Sequence, residues 1–160
     1  MNVIPSIDSH LDLAWNAVSV NRDLCQSIEA IRAGDEGLED FQGRRVIARG
    51  GVIGTACDNW MLTPDWKLGE TPRDRVTLND VADHMDHVCQ LAGNDRHAAI
   101  GTDLDGGYGT EQSPAELNTI ADQQTLAPLL SQRGYSSESI ARIFHGNWLN
   151  FFQTHLPVGN

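Results

Sequence analysis

Apolar positions along the chain fall into short runs divided by charged and glycine-bearing stretches, and the two spacings alternate. Val3 to Leu13 reads as a strand: Ile7, Leu11 and Leu13 share one side, and Asp8, His10 and Asp12 the other. Arg22 to Ala33 carries Leu24, Ile28 and Ile31 on one helical stripe. Gly34 to Arg45 is charged and holds three glycines, which predicts a loop or linker. Gly50 to Cys57 predicts a buried strand, and Asp58 to Arg75, with Trp60, Trp66 and two prolines, a long structured loop. Thr77 to Leu91 is the clearest helix. Thr77 and Asp80 resemble a capping box, Leu78, Val81, Met85 and Val88 keep helical spacing, and Gly93 follows as a stop. His97 to Thr102 predicts another strand. Pro114 to Asp122, Thr125 to Arg133 and Ser137 to Thr154 predict helices, the last interrupted near Gly146-Asn147. Short apolar strands alternating with helices imply an α/β fold with parallel strands.

Charge narrows the partners. The 160 residues carry 22 acidic and 11 basic side chains, a formal net charge of -11. Nucleic acid and anionic membrane both call for a basic patch, so neither is expected. No run approaches the ~20 apolar residues of a spanning helix, and the first residues lack a basic, apolar leader. Cys25, Cys57 and Cys89 form no Cys-x-x-Cys pair, which excludes a thiolate zinc cluster and suits a reducing compartment. A cytoplasmic location without membrane insertion is expected.

Candidate chemistry gathers at two strand ends. His10 and Asp12, two residues apart on a strand, put an imidazole and a carboxylate on one side, a natural pair of ligands for a divalent metal. The bland alternative is a turn that caps the next helix. His97 to Gly107 ends in Asp103-Leu-Asp-Gly-Gly, so a second strand also finishes in carboxylates. Parallel α/β folds gather ligands at the C-terminal ends of strands. Two rivals for Asp103 fail. A haloacid-dehalogenase-type phosphatase needs a downstream lysine, and the last lysine, Lys67, precedes Asp103. A calcium loop counted from Asp103 reaches Pro114 where its bidentate glutamate belongs. His84 and His87 lie three apart among Asp80, Asp83 and Asp86, a row better explained as a solvated helix face than as a metal site. His145 and His155 read as surface or cap residues, and Trp60, Trp66 and Trp148 as core or loop anchors.

The ordered blocks resemble the membrane (renal) dipeptidases, zinc peptidases with an amidohydrolase-type (β/α)8 barrel. Asp8-Ser-His-Leu-Asp-Leu-Ala-Trp15 is similar to the family's first strand. Gly50-Gly-Val-Ile-Gly is similar to its seventh, and Thr77 to Val88 to the helix after it. His97 to Gly107 resembles its eighth strand, and Ile143-Phe-His-Gly-Asn-Trp-Leu its C-terminal pattern. The resemblance implies zinc-dependent hydrolysis of dipeptides. His10 and Asp12 would be ligands of the first zinc, and Asp103 the catalytic carboxylate near the metals and the substrate amine. No substrate-binding side chain is carried over.

The departures are as specific as the matches. A complete barrel needs about 250 residues, and the blocks here correspond to strands one, seven and eight, with an apparent internal join near residues 41–48. The bridging glutamate, the histidines of a second zinc and the substrate-binding His and Arg have no counterpart; Leu11 and Ala14 replace an Asn and a Pro of the family pattern. The expectation is one incomplete barrel-like domain over residues 1–160, three parallel strands with flanking helices. It would be either a dipeptidase-type hydrolase or a non-catalytic truncated homologue that keeps a metal half-site. The uncovered inner face of such a sheet would favour a homo-oligomer.

Overall fold

The computed structural model describes residues 3–8, 38–104 and 106–156. Two strands, β1 (Ile53–Thr55) and β2 (Ala98–Ile100), pair in parallel with Ile53 opposite Ala98 and Thr55 opposite Ile100. All three β2 residues are buried, as the apolar Ala-Ala-Ile run requires of a strand covered on both faces. The strands approach tightly because Gly54 faces Gly101: a Cβ on Gly54 would lie 3.0 Å from the Gly101 Cα. On the other side of β2, Asp8 forms an isolated parallel bridge to Ile100; of the expected strand Val3 to Leu13, residues 3–7 are not in a strand and 9–13 lie outside the described residues.

The crossover between β1 and β2 carries a short helix (Asn59–Leu62), a 3-10 turn (Arg73–Arg75) and a long helix (Leu78–Ala92). With the helix at Leu38–Ala48 as α1, these two helices are α2 and α3. The predicted capping box is present: the Asp80 carboxylate accepts the Thr77 N–H at 2.7 Å, and the Thr77 hydroxyl accepts from Asn79 N–H at 3.3 Å. Gly93 ends α3 in the left-handed region, with φ of 69°. Leu78, Val81, Ala82, Met85, Val88 and Cys89 form its buried stripe, which packs towards both strands. Arg73 ties the crossover to the loop beyond β2, donating to the carbonyls of Ser113, Pro114 and Leu117.

Two expected elements are corrected. Leu38–Ala48 is helical, although the charged, glycine-bearing stretch predicts a loop. Gly43, which reads as a breaker, sits where α1 crosses α3: a Cβ there would lie 2.9 Å from the Leu91 side chain. Its reason is close packing, not turning. Pro114 to Asp122 is not an α-helix. The Asp122 carboxylate instead accepts from the backbone of Asn118 and Thr119 and opens a 3-10 turn at Ile120–Thr125.

The remaining helices close the core. α4 (Leu126–Gln132) is followed by α5 (Ser137–Ala141), a π-helical turn (Arg142–Gly146) and α6 (Asn147–His155). The expected interruption near Gly146 is this widened turn. Asn147 donates to the carbonyls of Asp95 and Ala98, and Trp148 donates its indole N–H to Ile100, fixing α6 on β2. The same region docks the N-terminal segment. Phe144 accepts from Ile7 N–H at 2.8 Å, His145 donates to the Pro5 carbonyl, and Gln124 exchanges two bonds with the Ile4 backbone. Among the described residues, no helix is long and apolar enough to cross a membrane. The helix expected at Arg22 to Ala33 lies outside the described residues.

Candidate active site

Carboxylates line the C-terminal ends of the strands, and each end is built locally. Past β2 the chain turns sharply at Asp103, whose φ of 58° lies in the left-handed region that Asp tolerates better than most residues. The turn is closed by the Gly106 N–H, which donates to the Asp103 carbonyl at 2.9 Å. The Asp103 side chain folds over Gly106 so closely that a Cβ there would stand 2.5 Å from its Oδ1. Asp103 thereby keeps only 9% exposure, although it is an acid beyond the end of the strand. Backbone held in this region at a buried acid is the sort of constraint that functional sites carry.

Asp8 occupies the end of the neighbouring strand. Its carboxylate accepts the Thr102 N–H at 2.7 Å and also the Thr102 hydroxyl. Asp8 is therefore engaged in joining two strand ends. His10 and Asp12, the expected metal ligands, lie outside the described residues, as does Asp105. Among the described residues no group of three or more His, Cys, Asp or Glu side chains is arranged to hold a metal.

The third strand end supplies a residue the sequence reading passed over. Asp58 follows β1, caps α2 and is buried at 3% exposure. Burial pushes its carboxyl above the ordinary value; hydrogen bonds from Gln112 and Trp60 oppose this, and the nearby Asp103 charge adds to it. The signal was available: a carboxylate directly after an apolar strand, the habit already noted at Asp103. Burial likewise pushes the Cys57 thiol up to about 12, with the Asp8 charge adding to it. Tyr108 donates to the Thr102 carbonyl at 3.2 Å; burial, then the charges around it, hold its phenol firmly protonated.

The helical histidines are accounted for elsewhere. His84 is exposed and bonds the Leu62 carbonyl at 3.3 Å, tying α3 to α2. Trp148 is a buried anchor and Trp66 is buried beside the loop it closes, whereas Trp60 is 41% exposed and holds Asp58 through its indole N–H.

Comparison with known proteins decides the lineage. Residues 26–156 match the family model described as membrane dipeptidase, peptidase family M19. The chain belongs to this family. A 76-residue stretch is 34% identical to the dipeptidase aclJ of Aspergillus oryzae, covering 48% of this chain and 17% of that protein. Another, of 87 residues, is 28% identical to an uncharacterized dipeptidase of Schizosaccharomyces pombe, covering 54% and 20% respectively. Among solved structures, a metallo peptidase from Rhodobacter sphaeroides, crystallised with a phosphinate mimic of the dipeptide L-Ala-D-Ala, superposes with a TM-score of 0.60. It is 21% identical and covers 71% of this chain and 30% of its own, which establishes shared fold. The chain thus spans about a fifth or less of the curated relatives' length. The M19 match begins at residue 26, after His10 and Asp12.

Proposed function

We propose that the chain carries one side of a dipeptidase-type metal centre and serves the hydrolysis of dipeptides. In this reading the N-terminal strand, β2 and β1 are barrel strands one, eight and seven of a (β/α)8 arrangement, within one incomplete domain. The observation that carries it is the junction of Asp8 with Thr102, which brings the segment two residues before His10 to the strand end that leads into Asp103. An imidazole with carboxylates suits zinc, and a buried carboxylate such as Asp103 suits a site that receives a cation. His10 and Asp12 would hold the ion. When bound, zinc polarises a carbonyl and acidifies water, the chemistry peptide hydrolysis needs. Asp103 places a carboxylate at the strand end, a group that attracts the ammonium end of a dipeptide. Tyr108, kept protonated, adds a neutral polar wall without an opposing charge.

His10, Asp12 and Asp103 supply part of a two-metal site. The test is zinc content of the purified chain together with dipeptide turnover. Zinc bound stoichiometrically, with turnover abolished in His10→Ala, supports the hydrolase. Zinc bound without turnover identifies a non-catalytic homologue with a half-site, and no zinc at all overturns the reading.

A further inference from the structure

The loop that carries Asp103 leaves β2 and returns at Gln112, and its far end is fastened to the other strand. Gln112 Nε2 donates to both oxygens of Asp58, at 2.9 and 2.7 Å. Trp60 completes the set, donating its indole N–H at 2.6 Å and its backbone N–H at 3.4 Å to the same carboxylate. Asp58 is thus held on one side by the first turn of α2, which it caps, and on the other by Gln112, distant in sequence. Its oxygens are occupied by protein, so it is not read as an open ligand. Near the start of the loop, Cys57 N–H donates to the Thr102 carbonyl at 2.9 Å, so the strand ends are tied there as well. A buried carboxylate whose oxygens are taken by α2 and by the loop fixes the spacing between them, because breaking either contact leaves it buried with fewer donors.

We infer that Asp58 is a positioning residue: through Gln112 it holds the Asp103 loop in its strained turn against the strand ends. This inference rests on the proposed site only for its metal-binding consequence. In the proposed site Asp103 stands near the metal rather than holding it, so the effect of Asp58 is read first in the loop, and zinc affinity is a second readout.

The donor pattern gives a test by exchange. Asp58→Asn is the mild change: its oxygen still accepts from Trp60, and Gln112 accepts from the new NH2 by turning its amide over. Gln112→Glu sets two carboxylates against each other. Combining the two substitutions restores complementarity at unchanged total charge: the new amide at position 58 accepts from Trp60 and donates to the new carboxylate at position 112. Hydrogen exchange of amides 101–109 and zinc affinity by chelator competition are read on the wild type, both single variants and the double variant. The expected result is faster loop exchange and weaker zinc binding in Gln112→Glu, with both restored in the double. A Gln112→Glu variant whose loop exchanges as in the wild type overturns the inference, as does a double variant no better than Gln112→Glu. If the wild type binds no zinc, the proposed function fails while loop exchange still decides the role of Asp58.

Discussion

Asp8 and Thr102 are joined twice, the Asp8 carboxylate accepting both the backbone N–H and the hydroxyl of Thr102. The bond matters because, among the described residues, one backbone bridge joins this segment to β2, at Asp8 and Ile100, and the side-chain bonds add to it. Thr102→Val keeps the shape and the N–H but removes the hydroxyl. The expected cost is about 1 kcal/mol, since Asp8 is solvent-exposed and the N–H bond survives. That corresponds to a fall in Tm of about 2–4 °C. Loss of exchange protection at residues 3–8, without change in α3, would locate the effect; unchanged protection would refute it.

Gly54 and Gly101 set the separation of β1 and β2. Gly54→Ala places a methyl 3.0 Å from the Gly101 Cα, against backbone that cannot rotate aside. The expected destabilisation is about 1–3 kcal/mol, measured by urea unfolding. A neutral or stabilising result would mean that the strands part freely. Gly43→Ala is the control: its methyl meets the far ends of two flexible side chains, Leu91 at 2.9 Å and Ile53 at 3.8 Å, so its cost is smaller.

These glycines also mark where sequence reading succeeds and fails. The Thr77–Asp80 box and Gly93 were legible because a cap is made within one turn of the chain. Gly43 was misread because the residue that demands it, Leu91, is distant in sequence. Pro114 to Asp122 has helical apolar spacing, yet Asp122 competes for the backbone of Asn118 and Thr119 and the 3-10 turn prevails. At the site, Asp103 was legible as a carboxylate ending an apolar strand. Its left-handed backbone and its cover over Gly106 were not, since both arise from the turn it closes. Asp58 was overlooked inside a stretch read as loop, although its partner Gln112 gives it a fixed place.

Asp95 and Arg142 predict an acid-side pH dependence. Arg142 donates Nε to one Asp95 oxygen at 2.9 Å and an NH2 group to the other at 2.7 Å. This pairing, ahead of all other causes, holds the Asp95 carboxyl below its ordinary value of 3.8. A carboxyl with a depressed folded value binds its proton more readily when unfolded. Its stabilisation is therefore present above the unfolded value and is lost as pH falls through the folded one. Asp95→Asn should flatten the fall in stability below about pH 4, measured by urea midpoints across the acid range. An unchanged slope would assign the acid sensitivity elsewhere.

Cys57 and Cys89 are buried, and burial raises both thiols, Cys57 to about 12. The thiolate is the reactive form, so neither should react at neutral pH in the folded chain. In a Cys25→Ser background, a chromogenic disulfide reagent should label neither thiol until denaturant is added, and then both. Rapid labelling in native buffer would show that the strand ends open to solvent.

The pair of bonds between Gln124 and Ile4 reproduces, with one side-chain amide, what a neighbouring strand would offer at that residue: an acceptor for the Ile4 N–H at 2.9 Å and a donor to its carbonyl at 3.0 Å. Unclaimed backbone along a strand is what lets foreign chains zip onto a protein. Gln124 therefore leaves neither backbone group of Ile4 open for another chain to pair with.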